Sequence, residues 1–123
     1  RRVLFRSPIA WLLRGLSDRN AGCVNSATAI YNGAADPTAD DAMILTKILA
    51  RALAPRIRVN AIAPGFVLQS DVVPAEEWDR LIGRIPLRRP ARIEEITSAL
   101  EFLLHNQYVT GQTIIVDGGY SLI

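Results

Sequence analysis

The spacing of apolar and polar positions predicts alternating strands and helices. Apolar residues recur at helical spacing in three segments, residues 8–20, 42–53 and 93–105. Runs rich in β-branched residues at 57–63 and 113–116, together with the apolar stretch 23–29, are predicted strands. Strands that alternate with helices favour a parallel sheet covered on both faces, so the predicted fold class is α/β, doubly wound through right-handed crossovers.

The predicted sheet is small for a free-standing domain. Only three strands are visible, and such a sheet leaves one long backbone edge unpaired, which native proteins avoid. The helix at 42–53 is apolar over most of its circumference, with Met43, Ile44 and Ile48 on faces other than the main stripe. We therefore expect half of a larger fold, with this helix covered by the sheet on one side and by a partner subunit on the other.

The segment 66–90 separates two regular elements and carries prolines at positions 74, 86 and 90 around a helical piece near residues 78–82. A long, proline-containing connection of this kind is typical of a lid or a binding loop.

Composition narrows the class of protein. The 123 residues are 50% hydrophobic and their mean hydropathy is +0.18, as expected of one globular domain. The single cysteine, Cys23, excludes a disulfide framework and a multi-cysteine zinc site, and it favours a reducing compartment, so we expect a cytoplasmic protein without a metal. No apolar run approaches the roughly 18 residues of a membrane span. Basic residues such as Arg88 and Arg89 are scattered among acids, and neither a nucleic acid nor a membrane is an expected partner.

Residues 1–7 are predicted to be a non-native leader. The tetrapeptide LFRS at positions 4–7 is the translation of CTCTTCCGATCT, the end of a common sequencing adapter, which indicates an assembly scar. Three of the 14 basic residues lie in this leader, and without them 11 basic residues face 12 acidic ones, a net charge of −1. The remainder, residues 8–123, is predicted to be part of a single domain.

Two stretches resemble the C-terminal half of the short-chain dehydrogenase/reductases: LTKILARALAPRIRVNAIAPG at 45–65 and YVTGQTIIVDGGYSL at 108–122. The segment VLQSDVVPAEEWDRLIGRIPL at 67–87 and the ending VDGGYSL look most like the pteridine reductases and dihydromonapterin reductases. The resemblance implies a partial Rossmann-type fold, with residues 8–123 as the C-terminal half of an NAD(P)-binding domain. It also implies a missing N-terminal half that carries the glycine-rich cofactor loop, and the sequence contains neither GxGxxG nor TGxxxGxG.

In this family a tyrosine gives a proton to the substrate while NAD(P)H gives a hydride, and a lysine four residues later lowers the tyrosine pKa. The family's spacing places this pair at Ala35 and Ala39, or at Asp36 and Asp40 in a register shifted by one residue. Neither register supplies the catalytic pair. The remaining catalytic candidate is Thr28, which falls at the position of the family's acid-activating residue if Asn25 is aligned with the family's asparagine. The alternative is an ordinary strand residue, since threonine is common in strands.

The same resemblance assigns the nicotinamide end of the cofactor to Pro64, Gly65, Phe66 and Val67, where a glycine lets the backbone approach closely. A turn after a strand is the alternative for the Pro-Gly pair. Leu68 and Trp78 sit where the pterin-reductase loop closes over substrate, and Trp78 is equally a candidate packing anchor.

Three further residues receive structural interpretations. Asp117 before Gly118 is read as turn chemistry, His105 as a residue at a helix C-terminus, and Tyr120 as a contact either within its own subunit or with a neighbour.

The resulting hypothesis is a fragment of an NAD(P)H-dependent oxidoreductase, using NADP or NAD in the complete protein and reducing a pterin-like or carbonyl substrate. We expect a homo-oligomer, dimer or tetramer, and no cofactor binding by the isolated fragment. The alternative is a catalytically inactive reductase-like subunit or interaction module.

Overall fold

The computed structural model describes residues 10–14, 25–30, 39–69 and 71–123. Its elements, in chain order, are the strands and helices β1 (Ala10–Arg14), β2 (Asn25–Ile30), α1 (Ala39–Leu53), β3 (Ile57–Pro64), α2 (Ala75–Arg84), α3 (Ile93–His105), β4 (Thr113–Val116) and a final 3-10 turn (Tyr120–Leu122). The strands form one sheet in the order β1-β2-β3-β4. β2, β3 and β4 are parallel, and β1 is antiparallel to β2.

The predicted helix at 8–20 is wrong where the structure describes it, because Ala10–Arg14 forms a strand. A short apolar run does not distinguish a strand from a buried helix by its periodicity. Pairing decides this case: Ala10 lies opposite Ile30 and Arg14 opposite Ser26, so β1 occupies the edge of β2 that would otherwise be unpaired. The flanking residues 8–9 and 15–20 lie outside the described part of the chain.

β3 is the centre of the sheet, and every residue from Arg58 to Pro64 is buried. Alternate side chains of a strand point to opposite faces. Val59 packs with Ala50 of α1, whereas Arg58 reaches the carbonyl oxygen of Leu103 in α3 at 2.8 Å. α1 and α3 therefore cover opposite faces, which confirms the α/β, Rossmann-type class.

The hands of the two crossovers differ from the prediction. The parallel strands β2, β3 and β4 follow one another in the same direction across the sheet. If the crossover from β2 to β3 through α1 and the crossover from β3 to β4 through α3 had the same hand, both helices would lie on the same face of the sheet. Because α1 and α3 lie on opposite faces, the crossovers have opposite hands, and the expectation that all are right-handed is wrong.

The buried stripe of α1 consists of Ala42, Thr46 and Ala50, spaced four residues apart and directed at the sheet. On the opposite side of the helix, Ile44 and Ile48 are 55% and 58% exposed. The sheet thus covers one face of this apolar helix, as predicted. The partner subunit expected on the other face remains a prediction.

Candidate functional site

The strands β3 and β4 end side by side, and their carboxyl ends form the edge at which open α/β sheets bind ligands. Immediately after β3, the N–H of Gly65 donates to the carbonyl oxygen of Val116 at 3.0 Å. A Cβ at Gly65 would lie 2.7 Å from the Cα of Asp117 and 2.9 Å from its Cβ. Only glycine fits at this contact, which holds the loop Gly65–Val67 flat against the end of β4.

The backbone of this loop is anchored on one side and free on the other. The carbonyl oxygen of Phe66 accepts a hydrogen bond from the N–H of Ala91 at 2.8 Å. Val67 is half-buried, and within the described residues neither its N–H nor its carbonyl oxygen makes a hydrogen bond. One donor and one acceptor are therefore available together at the strand ends, a combination that suits a primary amide ligand.

Three aromatic rings, Phe66, Trp78 and Tyr120, form a cluster beside the loop, which we call the aromatic cluster. The ring of Phe66 meets Trp78 edge to face at a centroid distance of 5.8 Å and Tyr120 at 5.1 Å. Trp78 of α2 is thus in a packing contact next to the predicted cofactor residues, and Tyr120 packs within its own chain. Leu68 is 71% exposed at the start of the following segment.

Asp117 closes the site from the side of β4. Its carboxylate accepts hydrogen bonds from the backbone N–H groups of Gly119 at 2.8 Å and Ser121 at 2.7 Å. Burial alone would raise the pKa of Asp117, but the hydrogen bonds from Ser121 and Gly119 outweigh it and hold the pKa below its usual range. Gly118 and Gly119 adopt φ values of 65° and 91°, so the predicted turn chemistry is confirmed for this segment.

Thr28 lies away from this edge. It pairs with Asn60, whereas β3 continues to Pro64, four residues later and about 13 Å further at about 3.3 Å per residue. Its side chain is 1% exposed, and its buried hydroxyl oxygen has no hydrogen-bond partner in the part of the chain that the structure describes. The structure therefore does not bring Thr28 together with Gly65 and Val67, and its catalytic role remains a prediction.

The positions of the family's tyrosine and lysine give no further catalytic group. Ala39 is the first residue of α1, and Ala35 lies outside the described residues, as does Asp36 of the shifted register. The one lysine of the sequence, Lys47, is exposed on α1 and follows no tyrosine at a spacing of four.

Sequence reasoning missed the roles of Arg58 and Asn60. Arg58 is 5% exposed and donates to the carbonyl oxygens of Leu103 and Leu104 in the last turn of α3, and also to Val109. Asn60 donates to Val109 at 3.0 Å and accepts from the N–H of Gln112 at 3.1 Å. A charged and an amide side chain within a β-rich run were the available signal. Together, the side chains of Arg58 and Asn60 hold the segment between α3 and β4, and this segment determines where β4 lies in the sheet.

Two of the cavities lined by described residues lie at opposite ends of the sheet. One, of about 150 Å³, adjoins Val116 and Gly118 and is bordered by the Arg89–Glu95 ion pair. The other, of about 270 Å³, lies at the amino end of β3 beside Leu53 and Arg56, away from the loop Gly65–Val67.

Among the described segments, no helix is both long and apolar enough to cross a membrane. No group of three or more His, Cys, Asp or Glu side chains could hold a metal ion there.

Residues 38–121 match the family described as enoyl-(acyl carrier protein) reductase, and the chain belongs to this family and to the short-chain dehydrogenase/reductase superfamily. The chain is 36% identical over 99 residues to human 3-oxoacyl-[acyl-carrier-protein] reductase, covering 80% of this chain and 40% of that protein. It is 38% identical over 115 residues to the Thermotoga maritima reductase FabG, covering 85% of this chain and 47% of the relative.

A solved structure with a similar fold is FolM alternative dihydrofolate reductase 1 from Brucella suis, crystallised in complex with NADP. The TM-score is 0.73 at 34% identity, over 81% of this chain and 44% of that one. The chain thus spans less than half the length of these relatives.

Proposed function

We propose that the chain forms the C-terminal part of an NAD(P)H-dependent short-chain oxidoreductase, with Pro64, Gly65, Phe66 and Val67 at the nicotinamide end of the cofactor. The observation that carries the proposal is the contact of Gly65 with Asp117, beside which the N–H and the carbonyl oxygen of Val67 have no hydrogen-bond partner among the described residues. Similarity to a protein crystallised with NADP supports the choice of cofactor.

The residues present fit the nicotinamide end of this cofactor. A carboxamide offers one acceptor oxygen and an NH₂ donor, which match the N–H and the carbonyl of Val67. When bound, the reduced nicotinamide supplies a hydride to an electrophilic carbon of the substrate. Val67 would orient the carboxamide, and the aromatic cluster would exclude water from one side of the loop.

The chain does not supply the whole site. The sequence has no glycine-rich phosphate loop and no tyrosine followed by a lysine at a spacing of four. We therefore expect no saturable NADPH binding by the 123-residue chain alone.

For the substrate we propose a pterin-like ring or a carbonyl compound, approached from the side of Leu68 and Trp78. The likeness to FolM alternative dihydrofolate reductase 1 supports the pterin-like class. The likeness to 3-oxoacyl-[acyl-carrier-protein] reductase and to carbonyl reductase family member 4 of Xenopus tropicalis, 42% identical over 78 residues, supports the carbonyl class.

A second candidate is a catalytically inactive, reductase-like subunit in the cytoplasm that acts through association. Alanines at positions 35 and 39 in place of the catalytic pair favour it, as does the exposed apolar face of α1 with Ile44 and Ile48. Either candidate is expected to form a homo-oligomer through that face.

The decisive experiment is a chimera in which the Thermotoga maritima reductase, up to the position that matches Thr46, is followed by residues 47–123 of this chain. The chimera carries the relative's own N-terminal part, so it tests residues 47–123 alone. We expect NADPH oxidation with a 3-oxoacyl or dihydropterin substrate.

Val67→Pro, which removes the N–H, should raise KM for NADPH up to about tenfold, since one hydrogen bond contributes roughly 1 kcal/mol. Val67→Ala, which keeps both backbone groups, is the matched control.

An unchanged KM in the folded Val67→Pro chimera would overturn the assignment of Val67. A folded chimera that binds NADPH but has no activity would favour the inactive subunit. Sequencing the source DNA across and upstream of the codons for residues 1–47 separates the two candidates independently, because a tyrosine-lysine pair in place of Ala35 and Ala39 is compatible with the enzyme alone.

A further inference from the structure

We infer that Asp117 is a positioning residue for the loop Gly65–Val67, and that it acts through Tyr120 and the ring of Phe66. Its consequence for catalysis rests on the proposed function, since it concerns the placement of the Val67 backbone. We call the contacts that lead from Asp117 through Tyr120 to Phe66 the relay. The relay lies within the described chain and is testable without any cofactor.

The first step is the turn after β4. The two carboxylate oxygens of Asp117 each hold one backbone N–H, that of Gly119 by Oδ1 and that of Ser121 by Oδ2, at 2.8 and 2.7 Å. The N–H of Tyr120 also donates to the Asp117 carbonyl at 3.2 Å. Three consecutive residues are thus tied to Asp117, and hydrogen bonds to an ionised acceptor are among the stronger ones. This side chain fixes the direction in which Tyr120 leaves the turn.

The second step is the ring contact. Tyr120 meets Phe66 at a centroid distance of 5.1 Å and an interplanar angle of 88°. This edge-to-face arrangement is favourable beyond the area it buries. Trp78 of α2 contacts the same ring at 5.8 Å. Tyr120 differs from Trp78 because the backbone N–H groups of the residues on either side of it, Gly119 and Ser121, donate to the Asp117 carboxylate, so its contact with Phe66 depends on Asp117.

The third step is the effect of Phe66 on the backbone of the next residue, Val67. The Phe66 carbonyl is held by Ala91, and the Gly65 N–H is held by Val116. Val67 has no backbone hydrogen bond of its own among the described residues, so its position follows from how firmly Phe66 is held. A ligand-binding group without its own anchor needs support from the residues around it to keep its geometry.

The test is backbone relaxation by NMR on the 123-residue chain. In the unsubstituted chain we expect order parameters of about 0.85 at both Gly119 and Val67. Asp117→Ala should lower both to below about 0.6. Tyr120→Leu should lower the order parameter of Val67 alone. The order parameters of the Gly119 and Ser121 amides should stay unchanged, because their hydrogen bonds to the Asp117 carboxylate remain.

Two substitutions serve as controls and one guards against a folding failure. Tyr120→Phe keeps the ring and should restore the order of Val67, and Asp79→Ala removes an exposed carboxylate of α2 without effect on either residue. Asp117→Asn keeps one acceptor oxygen, so an intermediate loss is expected if Asp117→Ala does not fold. Unchanged order at Val67 in both Tyr120→Leu and Asp117→Asn overturns the inference.

The activity measurement distinguishes this inference from the proposed function. In the chimera, Tyr120→Leu should raise KM for NADPH several-fold with little change in kcat, and Tyr120→Phe should restore it. If the order of Val67 falls but KM does not move, the relay stands and the proposed role of Val67 fails. If Val67 stays ordered while Val67→Pro still raises KM, the relay fails and the proposed function stands.

Discussion

Gly65 is the residue at which the backbones that follow β3 and β4 come closest. The neighbouring atoms are the Cα and Cβ of Asp117, which are backbone or backbone-adjacent and have little freedom to move away. A methyl group here must displace either the loop or the end of β4. By contrast, Gly83 near the end of α2 has no atom within 4 Å of the position its Cβ would take. Gly65 is therefore required for steric reasons, whereas the position of Gly83 has room for a side chain.

Gly65→Ala should lower the free energy of unfolding by about 1–3 kcal/mol, the range for overpacked sites. Gly83→Ala should instead leave stability unchanged or raise it by up to about 1 kcal/mol, because alanine is the better helix residue. Urea unfolding of the two variants measures both effects. Equal stability of the two variants would contradict the close contact at Gly65.

At the scale of elements, α3 is held at both ends by groups from outside the helix or from its first turn. At its C-terminus, Arg58 of β3 donates to the carbonyl oxygens of Leu103 and Leu104, which have no partners within the helix. A cation is also favourable at this end of the helix dipole. Burial lowers the pKa of Arg58, but the side chain stays charged at neutral pH. One strand residue thus couples the sheet to the end of a helix.

Arg58→Met should cost roughly 2–4 kcal/mol, because it leaves carbonyl oxygens of α3 and of Val109 without their charged donor. Arg56→Met is the control at an exposed position two residues away and should change stability by less than about 0.5 kcal/mol. Chemical unfolding followed by circular dichroism compares the two. A loss as small as that of the control would mean that water replaces the guanidinium.

At the N-terminus of α3, Glu95 accepts two hydrogen bonds from Arg89, at 2.6 and 2.8 Å, and one from the backbone N–H of Arg92 at 2.7 Å. The Arg89 contact, with the Arg92 bond second, lowers the pKa of Glu95 to about 2. A carboxyl group with a lowered pKa stabilises the folded state above its unfolded pKa, about 4.3, and this contribution disappears as pH falls through 2.

Glu95→Gln should therefore lower the thermal midpoint at pH 7 and have a progressively smaller effect as the pH falls from about 5 towards 2. Because the side chains of Glu95 and Arg89 are both solvent-exposed, the change in the thermal midpoint should be small and should decrease in high salt. Melting curves at several pH values, with Glu101→Gln as the control on the same helix, measure it. A difference that persists at pH 2 would contradict this assignment.

At the scale of the whole molecule, the sheet leaves the outer face of α1 uncovered. Ile44, Leu45 and Ile48 are exposed on a helix whose opposite stripe is buried. Apolar side chains that lie together on a surface mark an interaction site more often than single ones do. This arrangement is the physical basis for the expected homo-oligomer.

Substituting both Ile44 and Ile48 by Glu should convert the oligomer to a monomer, because it places charges in the centre of the proposed apolar contact. Lys47→Glu, on the flank of the same helix, should leave association within about threefold of the unsubstituted chain, since charges at a rim contribute little. Sedimentation velocity over a concentration series measures both variants. Unaltered association in the double variant would place the interface elsewhere.

Sequence patterns were sufficient for elements whose signals are local. The bounds of α3 at Ile93 and His105, the strands β3 and β4, and a helix around Trp78 follow from periodicity and from flanking proline and glycine residues. The Pro-Gly end of β3 and the turn after Asp117 were also predicted, because their backbone requirements belong to the residue types themselves.

Tertiary structure alone decided the features that depend on a distant partner. Ala10–Arg14 is a strand because β2 offers an edge, and the opposite hands of the crossovers follow from where α1 and α3 pack. Thr28 is placed inside the sheet by its pairing with Asn60 rather than by its own neighbours in sequence. Hydrogen bonds and ring contacts between residues about 50 positions apart, such as those of Arg58 and Phe66, leave no periodic trace in the chain, and only the folded backbone brings them together.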